Sequence, residues 1–278
     1  MNDRRIIADS CCDVSEEMQK ETGVEIVPLT VRIEDREYAD DDNLDIRTFL
    51  QHMKKSKTPP RSSCPSIQDY LNAFKYGDNL FVVTLASSLS NSYSTAMQAK
   101  AIFLEDVKDK FIHVFDSMSA VIGETMVHLK IHECLKNNLL NNEVVEKVSA
   151  YIKEMRTYFL LENLDHITKL GRLNPIIGKA ASVLNIKPIM GNDNNSIRLV
   201  EKVRGYERAF KRLVEIIDEE GSRLSEKVLG IAHCNCYQRA LKFKDLVMER
   251  YSFKDVFIVE MGAVSSTYAD QGGLVIAF

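Results

Sequence analysis

Five short, nearly unbroken apolar runs separated by stretches of a different period constrain this 278-residue chain most: Arg5 to Ala8, Phe81 to Leu85, Phe111 to Phe115, Val228 to Ala232 and Val256 to Val259. A strand with one wet face alternates apolar and polar residues, so a run without alternation suits a strand covered on both faces. Between the runs the period becomes helical: Tyr206, Phe210, Leu213 and Ile217 fall on one face, as do Ala240, Phe243 and Val247. Strands alternating with such helices imply parallel strands joined by crossover helices, an α/β class with mainly parallel sheets.

The length is enough for two domains, each with its own core. Val144, Val148, Ile152 and Met155 mark one more amphipathic helix, and Tyr158 to Leu161 resumes strand character, which predicts a boundary that divides the chain into domains 1–155 and 156–278. The turn signal Gly191-Asn192-Asp193-Asn194-Asn195 separates Lys187 to Met190 from Ser196 to Val200 and predicts a hairpin. A second hairpin is expected over Val31 to Tyr38.

A net charge of −4 provides no general attraction to phosphate backbones, so nucleic acid is not an expected partner. The opening MNDRRIIADS lacks the apolar core of a signal peptide, and no apolar run approaches the roughly 20 residues that span a bilayer, so the expected compartment is the cytoplasm. Six cysteines are then expected as thiols. His233, Cys234 and Cys236 are tightly clustered, yet there is no CxxC pair and adjacent ligands close a tetrahedron poorly; no metal is expected.

In doubly wound sheets ligands bind beyond the carboxyl ends of the strands. Three such ends read Asp9-Ser10, Ser87-Ser88-Leu89-Ser90-Asn91-Ser92 and Asp116-Ser117. Hydroxyls and free N–H groups at a helix start suit an anion such as a carboxylate or phosphate. Ordinary helix capping explains the same residues, although one cap needs a single oxygen and the middle run holds far more. Another polar loop, Arg61-Ser62-Ser63-Cys64-Pro65-Ser66, leads into a helix. Neither a nucleotide-binding glycine fingerprint nor GxSxG is present, so dinucleotide and hydrolase chemistry lose ground. A Ser-His-Asp triad drawn from Asp9, Ser10, Asp116 and His233 stays open in principle, because triads are defined by geometry.

Taken in order, these segments resemble the DegV family along almost the whole chain. Asp9-Ser10 and Asp116-Ser117 look like its two Asp-Ser motifs, and Ser62-Ser63-Cys64-Pro65-Ser66 is similar to its Thr-Ser-Gln-Pro-Ser loop. The stretch from Ala86 to Ala96 keeps Ser87, Leu89, Ser90, Tyr93 and Ala96 of the family's hydroxyl-rich signature. Further on, Lys169-Leu170-Gly171-Arg172-Leu173, Leu184-Asn185-Ile186-Lys187-Pro188-Ile189 and Lys202-Val203-Arg204-Gly205 resemble three more family motifs.

The resemblance implies two α/β domains with a long-chain fatty acid in a buried pocket between them, and no cofactor. Carried over, Ser62, Ser90, the Asn91 amide and Arg172 contact the carboxylate, with Ser63, Asp9, Ser10, Asp116, Ser117 and Tyr268 in support. It also implies a carrier that is not itself an enzyme: a separate fatty acid kinase subunit phosphorylates the presented carboxylate. Lys187, Lys202 and Arg204 could face that subunit or, transiently, an anionic membrane. The chain departs from the pattern at three places. Ser62 replaces a threonine; Asn91-Ser92 replaces Gly-Thr, which asks Asn91 to tolerate an unusual backbone conformation; and Tyr268 stands where the family has a histidine. An acyl hydrolase or transferase using Ser90, or a lipid-sensing module that no longer serves a kinase, are the alternative readings.

Overall fold

The structure, a computed structural model, describes residues 3–162, 164–181, 185–193 and 195–278, without the side chains of 179–181 and 193. Leu184 of the quoted motif and Asn194 of the turn signal lie outside the described residues. In chain order the first half runs Arg4–Asp9 (β1), Glu16–Thr22 (α1), Glu25–Val27 (β2), Thr30–Ile33 (β3), Arg36–Ala39 (β4), Ile46–Lys55 (α2), Arg61–Ser63 (β5), Ile67–Ala73 (α3), Asn79–Thr84 (β6), Ser92–Asp106 (α4), Phe111–Asp116 (β7), Ile122–Lys136 (α5) and Asn141–Glu154 (α6). The second half runs Thr157–Leu160 (β8), Asp165–Lys169 (α7), Pro175–Ala181 (α8), Ile186–Asp193 (β9), Ser196–Arg204 (β10), Tyr206–Glu220 (α9), Val228–His233 (β11), Tyr237–Met248 (α10), Asp255–Glu260 (β12), Ala263–Ala269 (α11) and Leu274–Ala277 (β13).

The unbroken apolar runs become strands. The first sheet has the order β2-β1-β6-β7 and is parallel throughout. All six residues of β6 are buried, as its lack of alternation requires. The second sheet, β10-β9-β8-β13-β11-β12, corrects the expectation of mainly parallel strands in this half. Among the described residues, only β11 and β12, joined through α10, pair in parallel there; β9–β10, β8–β9, β8–β13 and β11–β13 are antiparallel. Two local causes account for this. The hairpin β9–β10 adds antiparallel pairs by construction. After α11 the chain reverses through Asp270 (φ 56) and Gly272 (φ 93), so β13 returns between β8 and β11 antiparallel to both. A small third sheet, β4-β3-β5, contains the hairpin expected over Val31 to Tyr38 and sets Ser62 opposite Val31.

Helix α5 lies between the two large sheets, packed on β1 and β6 on one side and β11 and β13 on the other. Ile122 to His128 are all buried, so the first two turns of the helix lack the exposed polar face of a surface helix. The close approach needs Gly230 in β11, where an added Cβ would come within 2.5 Å of Ile122 Cγ1. One apolar cluster therefore runs from Ile6 and Phe81 through Ile122 to Phe159, Val275 and Ala277.

Candidate functional site

The ends of β1, β6 and β7 meet one another before they meet any ligand. Asp9, at the end of β1, accepts from the Leu85 amide at 3.0 Å and the Ser92 hydroxyl at 2.6 Å, pinning both ends of the loop that carries Ser87 to Asn91. Burial pushes its carboxyl up to about 6, against the stabilising effect of these donors. Asp116, at the end of β7, accepts from the Ser87 amide at 3.1 Å and the Met118 amide at 3.0 Å. Ser117 donates to the Ser119 carbonyl at 3.0 Å and folds the next turn. Ser10 donates to Asp40 at 3.0 Å and accepts from the Leu29 amide.

A cavity of about 370 Å³ opens beside this loop. Its walls are mostly apolar: Leu29, Leu85, Phe159, Ile167, Val264 and Val275 are among them. Its polar groups include Ser62, Ser63, Ser90, Asn91, Arg172 and Tyr268, which the fold draws together from β5, the β6–α4 loop, the α7–α8 turn and α11. Asp9, Ser10, Asp116 and Ser117 are not in the lining; their bonds shape the loops behind it. The volume falls within the roughly 300–1,000 Å³ of small-molecule sites, and apolar walls with a few convergent polar groups are their usual chemistry.

Ser62 and Tyr268 share a hydroxyl–hydroxyl bond of 2.6 Å. Ser90 Oγ accepts from the Ser92 amide at 3.2 Å, so this residue does shape a helix start, as capping requires, while its own proton can be donated into the cavity. Asn91 precedes α4 without a side-chain cap bond. Its φ of −78 and ψ of 3 are open to most residues, which corrects the expectation of an unusual conformation there. Arg172 is exposed at the rim, where Nε donates to the Leu89 carbonyl at 3.0 Å and Nη1 to the Leu170 carbonyl at 2.8 Å. It is the only charged side chain among the described lining residues.

Sequence reasoning missed the residues that close the cavity from the hairpin and from the start of α5. Asn195 Nδ2 donates to Ser87 Oγ at 2.8 Å and to Asp116 at 3.1 Å, and Asn192 Nδ2 donates to the Met118 carbonyl at 3.1 Å. Their only signal is an Asn-rich turn, which turn propensity already explains. Met118 (φ 52) and Val121 (φ 60, ψ −132) also line the cavity, and positive φ at a β-branched residue is a genuine outlier of the kind held at functional sites.

The triad does not form, since its members are committed elsewhere: His233 Nδ1 accepts from the Cys236 amide at 3.3 Å, Ser10 binds Asp40, and the two aspartates hold loop amides. Among the described residues, no group of three or more His, Cys, Asp or Glu is placed to hold a metal ion. Nor is any helix among them long and apolar enough to cross a membrane.

The family described as "Uncharacterised protein, DegV family" matches residues 4–278. A DegV domain-containing protein of Streptococcus gordonii is 32% identical over 277 residues, covering 99% of this chain and 98% of the relative. Among solved structures, a Ruminococcus gnavus protein of the same family, determined with vaccenic acid, superimposes with a TM-score of 0.95 at 39% identity over 100% of both chains. The fatty acid kinase (Fak) B3 protein of Streptococcus pneumoniae, loaded with linoleic acid, does so with a TM-score of 0.91 at 30% identity over 99% of both.

Proposed function

The chain belongs to the DegV family, and from that premise we propose that it is a carrier, two α/β lobes (1–155 and 156–278) closing on one long-chain fatty acid. The observation that carries the reading is the division of the cavity into a largely apolar interior and a set of hydroxyls with one guanidinium. Ser62, Ser90, the Asn91 amide and Arg172 are the proposed carboxylate contacts, with Tyr268 acting through Ser62. Two relatives with 39% and 30% identity hold vaccenic and linoleic acid, which supports a ligand of this class.

The energetics suit a carrier. About fourteen methylenes of a C16 chain at roughly 0.8 kcal/mol each give a gross term on the order of 10 kcal/mol, before ordering and association costs. The acyl chain supplies affinity, while the hydroxyls spare the carboxylate an unpaired burial. Hydrolysis or acyl transfer by Ser90 is disfavoured: no histidine, aspartate or glutamate is among the described lining residues to take the serine proton. Presentation to a separate kinase subunit in the cytoplasm is the extension we propose from the Fak B3 relative.

Native mass spectrometry of the purified protein, followed by denaturation and identification of the released molecule, tests the reading. One C16 or C18 fatty acid per chain is expected. Protein that emerges lipid-free and takes up no added fatty acid refutes it.

A further inference from the structure

We propose that Asp40 is the positioning residue of the head-group site: from the end of β4 its carboxylate holds the start of α11, the helix that brings Tyr268 to Ser62. The inference rests on the fatty-acid reading and adds to it a residue that neither lines the cavity nor belongs to any recognised motif.

Asp40 is 6% exposed and has donors on both carboxylate oxygens. Oδ1 accepts from the Ala263 amide at 2.6 Å, and Oδ2 accepts from the Val264 amide at 3.2 Å and the Ser10 hydroxyl at 3.0 Å. Asp13 accepts from the Gly262 amide at 2.8 Å, so three successive amides at the start of α11 are bound by acids more than 200 residues away in sequence. Local capping does not compete, because the cap residue is Gly262 and makes no side-chain bond. A Cβ there would sit 2.8 Å from Asp40 Oδ1, so the glycine is what lets the carboxylate reach the helix.

Near the other end of α11, Tyr268 meets Ser62 of β5 at 2.6 Å. Strands β4 and β5 flank the same strand, β3. The small sheet thus grips α11 twice, by a carboxylate at its start and a hydroxyl near its end, and the first grip fixes where the phenol of the second falls. This gives the Asp9-Ser10 motif a second use: Ser10 orients Asp40 while Asp9 pins the Ser90 loop.

A capping acid with no bearing on the site would affect every ligand alike, so the test compares palmitate with hexadecan-1-ol, which shares the chain and lacks the carboxylate. Dissociation constants are measured for wild type, Asp40→Ala, Asp40→Asn, Tyr268→Phe and the double variant Asp40→Ala/Tyr268→Phe. Tyr268→Phe is expected to lower the preference for acid over alcohol by about fivefold, the worth of one hydrogen bond. Asp40→Ala should lower it by a similar factor, and the double variant by no more than Tyr268→Phe alone. Asp40→Asn, which keeps the volume and one oxygen acceptor, should fold like the wild type and retain part of the preference. Equal weakening of both ligands, an unchanged preference in both Asp40 variants, or effects that multiply in the double variant would overturn the assignment. Wild type that binds neither ligand overturns the fatty-acid reading itself, a result distinct from failure at Asp40 alone.

Discussion

Two hydroxyls separated by 206 positions in sequence, those of Ser62 and Tyr268, meet at 2.6 Å beside an apolar cavity, and the bond commits each to the other. Ser62→Ala would leave the phenol without its partner and remove one donor from the proposed carboxylate site. Fatty acid affinity should fall by about five- to a hundredfold, the range of one to three kcal/mol, with little change in apo stability. Isothermal titration against palmitate measures this, and an unchanged constant would remove Ser62 from the site. Asp9 permits a pH argument. Its carboxyl rises from 3.8 to about 6 through burial, so the folded state holds the proton more tightly than the unfolded state. The stabilisation is complete below the unfolded value and is lost as pH rises through 6, a change on the order of 3 kcal/mol. Burial moves Asp13, Asp40 and Glu124 in the same direction. It lowers His128 to about 4 and also lowers His113 and His233, which adds stability as pH rises over the same range. The Asp9 contribution is therefore read as a difference between wild type and a variant without the titrating carboxyl. Urea unfolding at pH 4, 5, 6 and 7 should show the stability of wild type falling relative to that of Asp9→Asn across this window; equal pH profiles would mean that Asp9 is not the titrating group. At this scale the family resemblance named Ser62 and Ser90, and both line the cavity. Asp40 was not legible, since Asp40-Asp41-Asp42 reads as a solvated charge run.

Among the elements, the first sheet was readable because unbroken apolar runs produce buried parallel strands, whereas β13 was not. Its Leu-Val-Ile-Ala is as apolar as β11, and nothing local states that it inserts antiparallel between β8 and β11; the reversal at Asp270 and Gly272 and the vacant edges of both neighbours decide that. Strands β2 and β5, three residues each, are too short for any period to register. Helix α5 is the element on which both large sheets depend, and Gly230 is the contact that admits it. Gly230→Ala would place a methyl 2.5 Å from Ile122 Cγ1 and 3.1 Å from Met126 Sδ. The sheet cannot yield without losing its pairing to β12 and β13, so α5 must shift, at a cost of about 1–3 kcal/mol typical of an overpacked core. Chemical denaturation should show the loss. A variant as stable as wild type would mean that α5 has room to move.

For the whole molecule, the cavity is walled by both halves, from Leu29, Leu85 and Val121 on one side to Phe159, Val264 and Val275 on the other, and the apolar cluster is continuous across them. A ligand in that position binds only where both halves are folded, so its binding free energy adds to the stability of the whole assembly. At a free fatty acid concentration a hundredfold above the dissociation constant, the added stability is about 2.7 kcal/mol. For a chain of this size that corresponds to roughly 5–10 °C in melting temperature. The same continuity predicts one cooperative transition, with far-UV circular dichroism and tyrosine fluorescence melting together, both with and without lipid. Differential scanning calorimetry of delipidated protein, repeated with increasing palmitate below its aggregation limit, separates the possibilities. A single peak that moves upward with ligand is the expected result. Two peaks, of which only one moves, would show that the halves unfold independently and that the acyl chain is held by one of them, which is incompatible with a cavity built from both.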